Sequence, residues 1–166
     1  MKRNIISFIL TAFLAVPALT SCSDNFKTTS TSSSGSSISL DGVKVFTGTC
    51  TAFGVTTKEV PMYYVEDEDV YYVAYYYSGD GSFDFKWDKT TNKVSIQECC
   101  TGFFYSFYPV YTVSQEVYES TMGADAQPSY YDPATKTFTF NILYETVDDY
   151  SNTVQFLDTV TFVVDQ

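Results

Sequence analysis

Histidine is absent from this 166-residue chain and basic residues are few, since nine Lys and Arg stand against 20 Asp and Glu, for a formal net charge of −11. Without imidazole there is no serine–histidine or cysteine–histidine nucleophile and no histidine-ligated zinc. Almost nothing would neutralise phosphate, so nucleic acid and anionic lipid headgroups are poor partners. We expect no metal, no cofactor and no enzymatic activity. Two carboxylates at the spacing of a glycoside hydrolase are no evidence to the contrary, because 20 acidic residues produce some such pair by chance.

Long apolar runs are also missing. The longest, residues 5–14, covers ten residues, about half of the roughly 20 that a membrane-spanning helix needs. Two basic residues precede it and the segment Leu19–Cys22 (Leu-Thr-Ser-Cys) follows it, which is the order of regions in a secretory signal peptide. Leu19–Cys22 resembles the lipobox of bacterial lipoproteins. That resemblance implies a signal peptide over residues 1–21 and a membrane anchor of acyl chains, such as palmitate, on Cys22.

The next segment has few large apolar residues. Residues 22–37 are rich in Ser and Thr, and such a composition cannot bury a core. We therefore expect a disordered tether that spans about 20 Å on average. Residues 38–166 then form one domain, which is long enough for a single core and too short for two.

A family resemblance rests on several of these segments together. They are the lipobox, Ser23-Asp24 after it, the Ser/Thr tether, and a hairpin of sequence Tyr-Asp-Pro-Ala-Thr-Lys-Thr-Phe at residues 131–138. In combination they resemble small envelope lipoproteins of the Bacteroidetes. The resemblance implies an outer-membrane lipoprotein, and in that phylum acidic residues after the lipidated cysteine promote display on the cell surface. Only Asp24 is acidic here, so two locations are compatible with the sequence: display on the cell surface and anchoring that faces the periplasm.

The pattern of the domain is that of strands. No window keeps apolar residues at helical spacing. Instead, Phe83, Phe85 and Trp87 alternate with charged residues, and the apolar residues of 137–144 alternate with Thr and Asn. Asp88 and Asp132 each open a polar turn, which their side chains are expected to cap. We predict an all-β fold of eight or nine strands, either an antiparallel sandwich or a meander barrel. The one long connection, residues 116–128, could hold a helical turn.

Aromatic residues are abundant, with 15 Tyr, 14 Phe and one Trp. In an unbulged hairpin of residues 70–77 with 83–88, Tyr72 and Tyr76 share the outer face with Asp84 and Lys86. Flat rings beside carboxylates suit sugar recognition, so these four residues are the candidate glycan-binding site. The alternative is that tyrosine is simply a favoured strand residue and another segment covers these rings.

Three functions follow from this pattern. The first is a non-catalytic envelope domain that binds extracellular glycan. The second is a structural, adhesion or protein-interaction subunit of an envelope complex, for which a broad apolar patch or an open edge strand is expected. The third is a lipocalin-like barrel that holds an apolar ligand in an open interior. A second aromatic run at residues 103–111 is either part of the core or the lip of a cleft.

Five other side chains have specific expectations. In an oxidising envelope, Cys50 would pair with Cys99 or with Cys100, and the alternative is that all three are small buried apolar residues. Asp158 falls on the apolar face of a strand at residues 153–164, so a bulge is expected to turn it to solvent. Asp158-Thr159-Val160 resembles the O-glycosylation pattern used by the Bacteroidetes, with Thr159 as the acceptor facing outward.

Overall fold

The computed structural model describes residues 42–165, so Cys22 and the predictions for the signal peptide and the tether lie outside the described residues. Ten strands follow one another in the described part: β1 (Val43–Ala52), β2 (Val55–Val65), β3 (Val70–Tyr77), β4 (Asp80–Trp87), β5 (Lys93–Ile96), β6 (Cys99–Tyr105), β7 (Tyr108–Thr112), β8 (Ser129–Asp132), β9 (Thr137–Val147) and β10 (Thr153–Val164). Helix α1 (Gln115–Met122) and a 3₁₀ turn (Gly123–Asp125) lie between β7 and β8.

Eight of these strands close into an antiparallel barrel. They are hydrogen-bonded in the order β1-β2-β3-β4-β5-β8-β9-β10, and β10 pairs back with β1. The all-β prediction is confirmed, and the sheet is a closed barrel and not a sandwich. β6 and β7 are additional to the eight.

The barrel wall between β4 and β9 has two parts. β8 pairs with the first residues of β9, and β7 pairs with Glu145 and Tyr144 farther along the same edge. β5 lies beside β4, and Gln97 after it donates to the carbonyl oxygen of Asp84 at 2.9 Å. β6 continues beyond β5 in the same direction. The β6–β7 hairpin therefore completes the wall where β5 and β8 end.

Turn chemistry follows the sequence. Asp88 accepts from the Thr90 backbone N–H at 2.8 Å, and Asp132 accepts from the Ala134 N–H at 2.9 Å, as predicted for both hairpins. The long connection forms α1, whose N-cap Ser114 accepts from the backbone N–H of Val117. A polar side chain at each of these turns satisfies backbone groups that no strand pairs.

The barrel interior is filled with aromatic rings. Rings from β4 and β9, which are not neighbouring strands, meet across the interior, with centroids 4.9 Å apart for Phe83–Phe140 and for Phe85–Phe140. Phe138 packs against Phe162 of β10 at 6.3 Å. Aromatic pairs at these separations add to the free energy gained by burial. The alternating residues predicted to face the core do so in β4 and β9.

Because the strands alternate in direction, the two ends of the barrel carry different turns. The chain enters β1 at Val43, and this entry end also holds the turns at residues 66–69, 88–92 and 132–136. The opposite end holds the β1–β2, β3–β4, β6–β7 and β9–β10 turns. We call this opposite end the aromatic end, for the residues described below.

Candidate functional site

The predicted glycan platform is wrong. Tyr76 has no solvent exposure and lies in the barrel interior, where its hydroxyl is 3.0 Å from that of Tyr144. Tyr72 is on the outer face but only 8% exposed, because its ring stacks on that of Tyr63 at 4.9 Å. The two tyrosines therefore lie on opposite sides of the sheet, and neither presents a ring face to a ligand.

A β-bulge is the reason. Ala74 pairs with Ser82 and Tyr77 pairs with Asp80, so β3 has one residue more than β4 over this interval. Tyr75 occupies the bulge with a positive φ of 59°. The extra residue inverts the alternation of side chains beyond it, which moves Tyr76 from the expected outer face to the core.

Asp84 and Lys86 do lie on the outer face of β4, as the alternation predicted. Lys86 is exposed and Asp84 is partly buried opposite Tyr72. Burial, with a smaller contribution from the charge of Glu68, raises the pKa of Asp84 to about 6. Without an exposed ring beside them, these two residues do not form the sugar site that was predicted.

The most exposed aromatic rings are at the aromatic end instead. Two hairpin tips carry them: Phe104 is 71% exposed, Tyr105 51% and Phe107 95% on β6–β7, and Tyr150 is 85% exposed on β9–β10. We refer to these four residues as the aromatic patch. Each of the two alternatives for residues 103–111 holds for part of the run: Phe103 and Val110 belong to the core, whereas residues 104–107 form an exposed rim.

The β6–β7 turn holds Phe107 in an unfavourable backbone conformation. Tyr105 pairs with Tyr108, so Ser106 and Phe107 form a two-residue loop. Their φ angles are 49° and 80°, both positive as a type I′ hairpin turn requires. Asn and Gly are the residues that fit such a turn, and a bulky side chain with positive φ is uncommon and costly. The backbone strain at Phe107 is thus not offset by packing of its ring, which is almost fully exposed.

Contacts join the two hairpin tips. The Tyr105 ring lies 6.3 Å from that of Phe156 on β10. The largest single influence on the pKa of Tyr108 is the hydrogen bond from the Asp149 backbone N–H, which lowers it. The hydrogen bond to the Asp149 carboxylate, desolvation and the charges of Asp149 and Asp148 together outweigh this influence and raise the pKa. The patch therefore sits on two tips that are in contact with each other.

Phe53, in the β1–β2 turn, covers the core at the same end. Its ring lies 5.3 Å from Tyr144 and 6.0 Å from Phe156, and its backbone N–H donates to Asp158 at 2.7 Å. The strand β10 runs through Asp158 in regular register with β9, so the expected bulge is wrong. The carboxylate stays on the inward face at the rim, where the N–H of Phe53 compensates its partial burial.

The cysteine prediction is also wrong for its first pair. Cys50 on β1 and Cys99 on β6 are both buried free thiols, on strands that are not neighbours. Burial raises the pKa of each thiol to about 12. A nearby carboxylate charge makes a smaller contribution, from Asp158 for Cys50 and from Asp84 for Cys99. These two behave as small apolar core residues, as the alternative held, whereas Cys100 is partly buried and disulfide-bonded, so the alternative is wrong for that residue.

Thr159 faces outward and is exposed, and its hydroxyl donates to the side-chain oxygen of Asn141 at 2.8 Å. Its glycosylation remains a prediction. Among residues 42–165, no group of three or more Asp, Glu, Cys or His side chains is placed to hold a metal ion. Within the same range, no helix has the length and apolar character that crossing a membrane requires.

The fold also bears on the lipocalin-like alternative. The closed sheet that it needs is present, but the rings of β4 and β9 occupy the interior and Phe53 packs over their end. Comparison with known proteins adds no assignment. No protein-family model matches this chain, and neither a curated protein nor a solved structure is significantly similar to it.

Proposed function

We propose that this protein is a non-catalytic, envelope-anchored interaction subunit, which docks a partner protein through its aromatic end. The observation that carries the proposal is the aromatic patch, with four exposed rings on two adjoining hairpin tips. Aromatic side chains dominate the energetically important residues of protein interfaces, because large rigid rings lose little conformational entropy on binding. A broad apolar patch is the feature expected of an interaction subunit in this chain.

The backbone of Phe107 supports a binding role for the patch. Its ring is too exposed to stabilise the fold, while its positive φ destabilises the turn. Strain without a structural benefit is typical of residues that act in recognition. An Asn-Gly turn would hold the same hairpin at lower cost, so the ring itself is the useful element.

The position of the patch fits an anchor at Cys22. The first described residues lie at the entry end, and β1 runs ten residues from there to the other end, a distance of about 25 Å for a tilted strand. Anchored in this way, the barrel presents the aromatic end away from its own membrane. The partner is then a protein that reaches the barrel from the far side.

A glycan ligand is the second candidate, and one observation favours it. Tyr150 is an exposed ring that follows two carboxylates, Asp148 and Asp149. A tyrosine face with adjacent acceptors is the combination that stacks on a sugar and bonds its hydroxyls. Asp148 already accepts from the backbone of Tyr150 and Asn152, however, at 2.9 and 2.8 Å, which leaves it less available.

The test is site-specific photo-crosslinking in the native cells. Benzoylphenylalanine replaces Phe107 in one strain and Lys136, at the entry end, in the control strain. We expect a discrete protein adduct from position 107 and none from position 136. Absence of a protein adduct at 107, combined with retardation in polysaccharide gels that Tyr150→Ala abolishes, would overturn the protein partner in favour of glycan.

A further inference from the structure

Two thirds of β10 has a partner strand on one side only. β1 pairs with β10 over Thr161–Val164, whereas β9 pairs with it from Thr153 to Val163. Of the strands that the structure describes, none lies on the outer edge of residues 153–160. The β9–β10 hairpin therefore extends past the barrel rim with one open edge, next to the aromatic patch.

The register identifies the backbone groups on that edge. The backbone N–H of Asp165 donates to the carbonyl oxygen of Thr47 on β1 at 2.9 Å. The backbone N–H of Val164 donates to the carbonyl oxygen of Lys136, the residue before β9, at 3.0 Å. Odd-numbered residues of β10 thus direct N–H and C=O toward β1, and even-numbered residues toward β9. Since this alternation continues along an antiparallel pair, Thr153, Gln155 and Leu157 direct their backbone groups to the open edge.

The edge is open because β1 turns away. Phe53 and Gly54 have φ of 47° and 73°, which sends the chain into β2. The Phe53 N–H, the next group that would face β10, donates to the Asp158 carboxylate instead of a strand carbonyl. Residues 153–157 read Thr-Val-Gln-Phe-Leu and contain no Lys, Pro or bulge, the usual protections of an exposed edge.

We propose that Thr153–Leu157 is the docking edge for an extended segment of the partner protein, which adds a strand to β10. This rests on the proposed function and names its binding mode. Only a β-strand satisfies backbone donors and acceptors at every second residue. The rings of Tyr105 and Phe156 lie beside this edge and offer apolar contact to the side chains of the added strand.

Charge identifies the chemistry of the segment. Asp158 flanks one end of the edge, Asp148 and Asp149 flank the other, and the whole chain carries −11. The occupant is therefore an extended segment with apolar or β-branched residues and Lys or Arg at its ends. A second copy of this chain would bring the same acidic residues together, which is unfavourable.

Hydrogen exchange of the free protein is the first test. We expect the amides of Thr153, Gln155 and Leu157 to exchange rapidly in the ¹⁵N-labelled full chain, while those of Val154 and Phe156 are protected by β9. Protection of all five in the free chain would overturn the proposal, because another segment or another copy would already occupy the edge.

Binding is tested with the synthetic peptide KTVTVTVK, acetylated and amidated. We expect it to protect the three outward amides selectively. Gln155→Pro removes one outward N–H while leaving the ladder with β9 intact, and should weaken peptide binding by about tenfold or more, the equivalent of one hydrogen bond. Gln155→Ala is the matched control, since it removes only the 3.0 Å hydrogen bond from the Gln155 side chain to the Glu145 carboxylate, and it should retain the affinity of the parent chain.

The outcomes separate this inference from the proposed function. No protection at millimolar peptide, or equal binding by the Gln155→Pro variant, overturns strand addition. If Gln155→Pro fails to fold, as judged by its amide spectrum, Leu157→Pro removes the next outward N–H in the same way. If position 107 still captures a protein while the outward amides never gain protection in that complex, the interaction subunit stands and the edge proposal is wrong.

Discussion

Phe107 offers the sharpest test of the view that the aromatic patch serves binding and not stability. The change is Phe107→Gly, in a turn where both central residues have positive φ. The ring is 95% exposed, so its removal costs almost no buried apolar area. Glycine relieves about 1–2 kcal/mol of left-handed strain and adds about 0.5–1 kcal/mol of backbone entropy to the unfolded chain.

The free energy of unfolding should therefore stay unchanged or rise by about 1 kcal/mol, while binding of the crosslinked partner is lost. Phe103→Ala is the matched control four residues earlier. That ring lies 5.3 Å from Tyr76 and 5.6 Å from Tyr77 and packs against the core. Its removal should cost about 2–3 kcal/mol, less than the roughly 3–5 kcal/mol of a fully buried phenylalanine.

Urea unfolding followed by the fluorescence of Trp87, the single tryptophan, measures both variants. A fall of more than about 1 kcal/mol for Phe107→Gly would mean that the ring stabilises the fold, and the argument from strain without benefit would fail. A gain in stability with unchanged partner binding would refute the assignment of Phe107 to the docking surface.

Three further predictions concern the barrel itself. The pKa of Asp84 in the folded protein is raised to about 6, so its contribution to stability is present below pH 4 and is lost as the pH rises through 6. In urea titrations, Asp84→Asn should therefore raise the free energy of unfolding by up to about 3 kcal/mol at pH 7 and by little at pH 4. An effect that does not depend on pH would contradict the raised pKa. Tyr76→Phe leaves the Tyr144 hydroxyl buried and unpaired and should cost about 1–3 kcal/mol, part of which the double Tyr-to-Phe variant recovers. Gly81 has a positive φ of 73°, and a Cβ atom there would clash with the Phe103 ring. Gly81→Ala should therefore lower the thermal midpoint of unfolding. An unchanged midpoint would show that the Phe103 ring is not packed tightly against β4.

Much of the fold could be predicted from local pattern. Alternation along β4 and β9 identified Phe83, Phe85, Phe138 and Phe140 as core residues, and all are fully buried. The turn aspartates were identified by their position before small polar residues. These features depend on neighbours within a few residues, so sequence spacing alone specifies them.

The candidate site could not be predicted in the same way. The bulge at Tyr75 moves Tyr76 to the interior while Tyr72 keeps its outer face, and nothing in that run of apolar and aromatic residues marks where the extra residue falls. The exposed rim, in contrast, had a signal in the aromatic run at residues 103–111, which the sequence assigned to either the core or the lip of a cleft. Sequence spacing did not separate core from surface there, because both environments accept aromatic residues in strands.

The sequence by itself determined an acidic, histidine-free, all-β domain, and it predicts the lipid anchor that precedes this domain. Only the tertiary structure decided that the sheet closes into a barrel and that rings of β4 and β9 fill the barrel interior. It also decided that β10 extends beyond the end of β1, which leaves an edge of β10 unpaired beside Phe53. The physical reason is the range of the interactions. Composition and side-chain alternation are local, whereas closure, bulges and unpaired edges depend on which distant strands pair and on where each one ends.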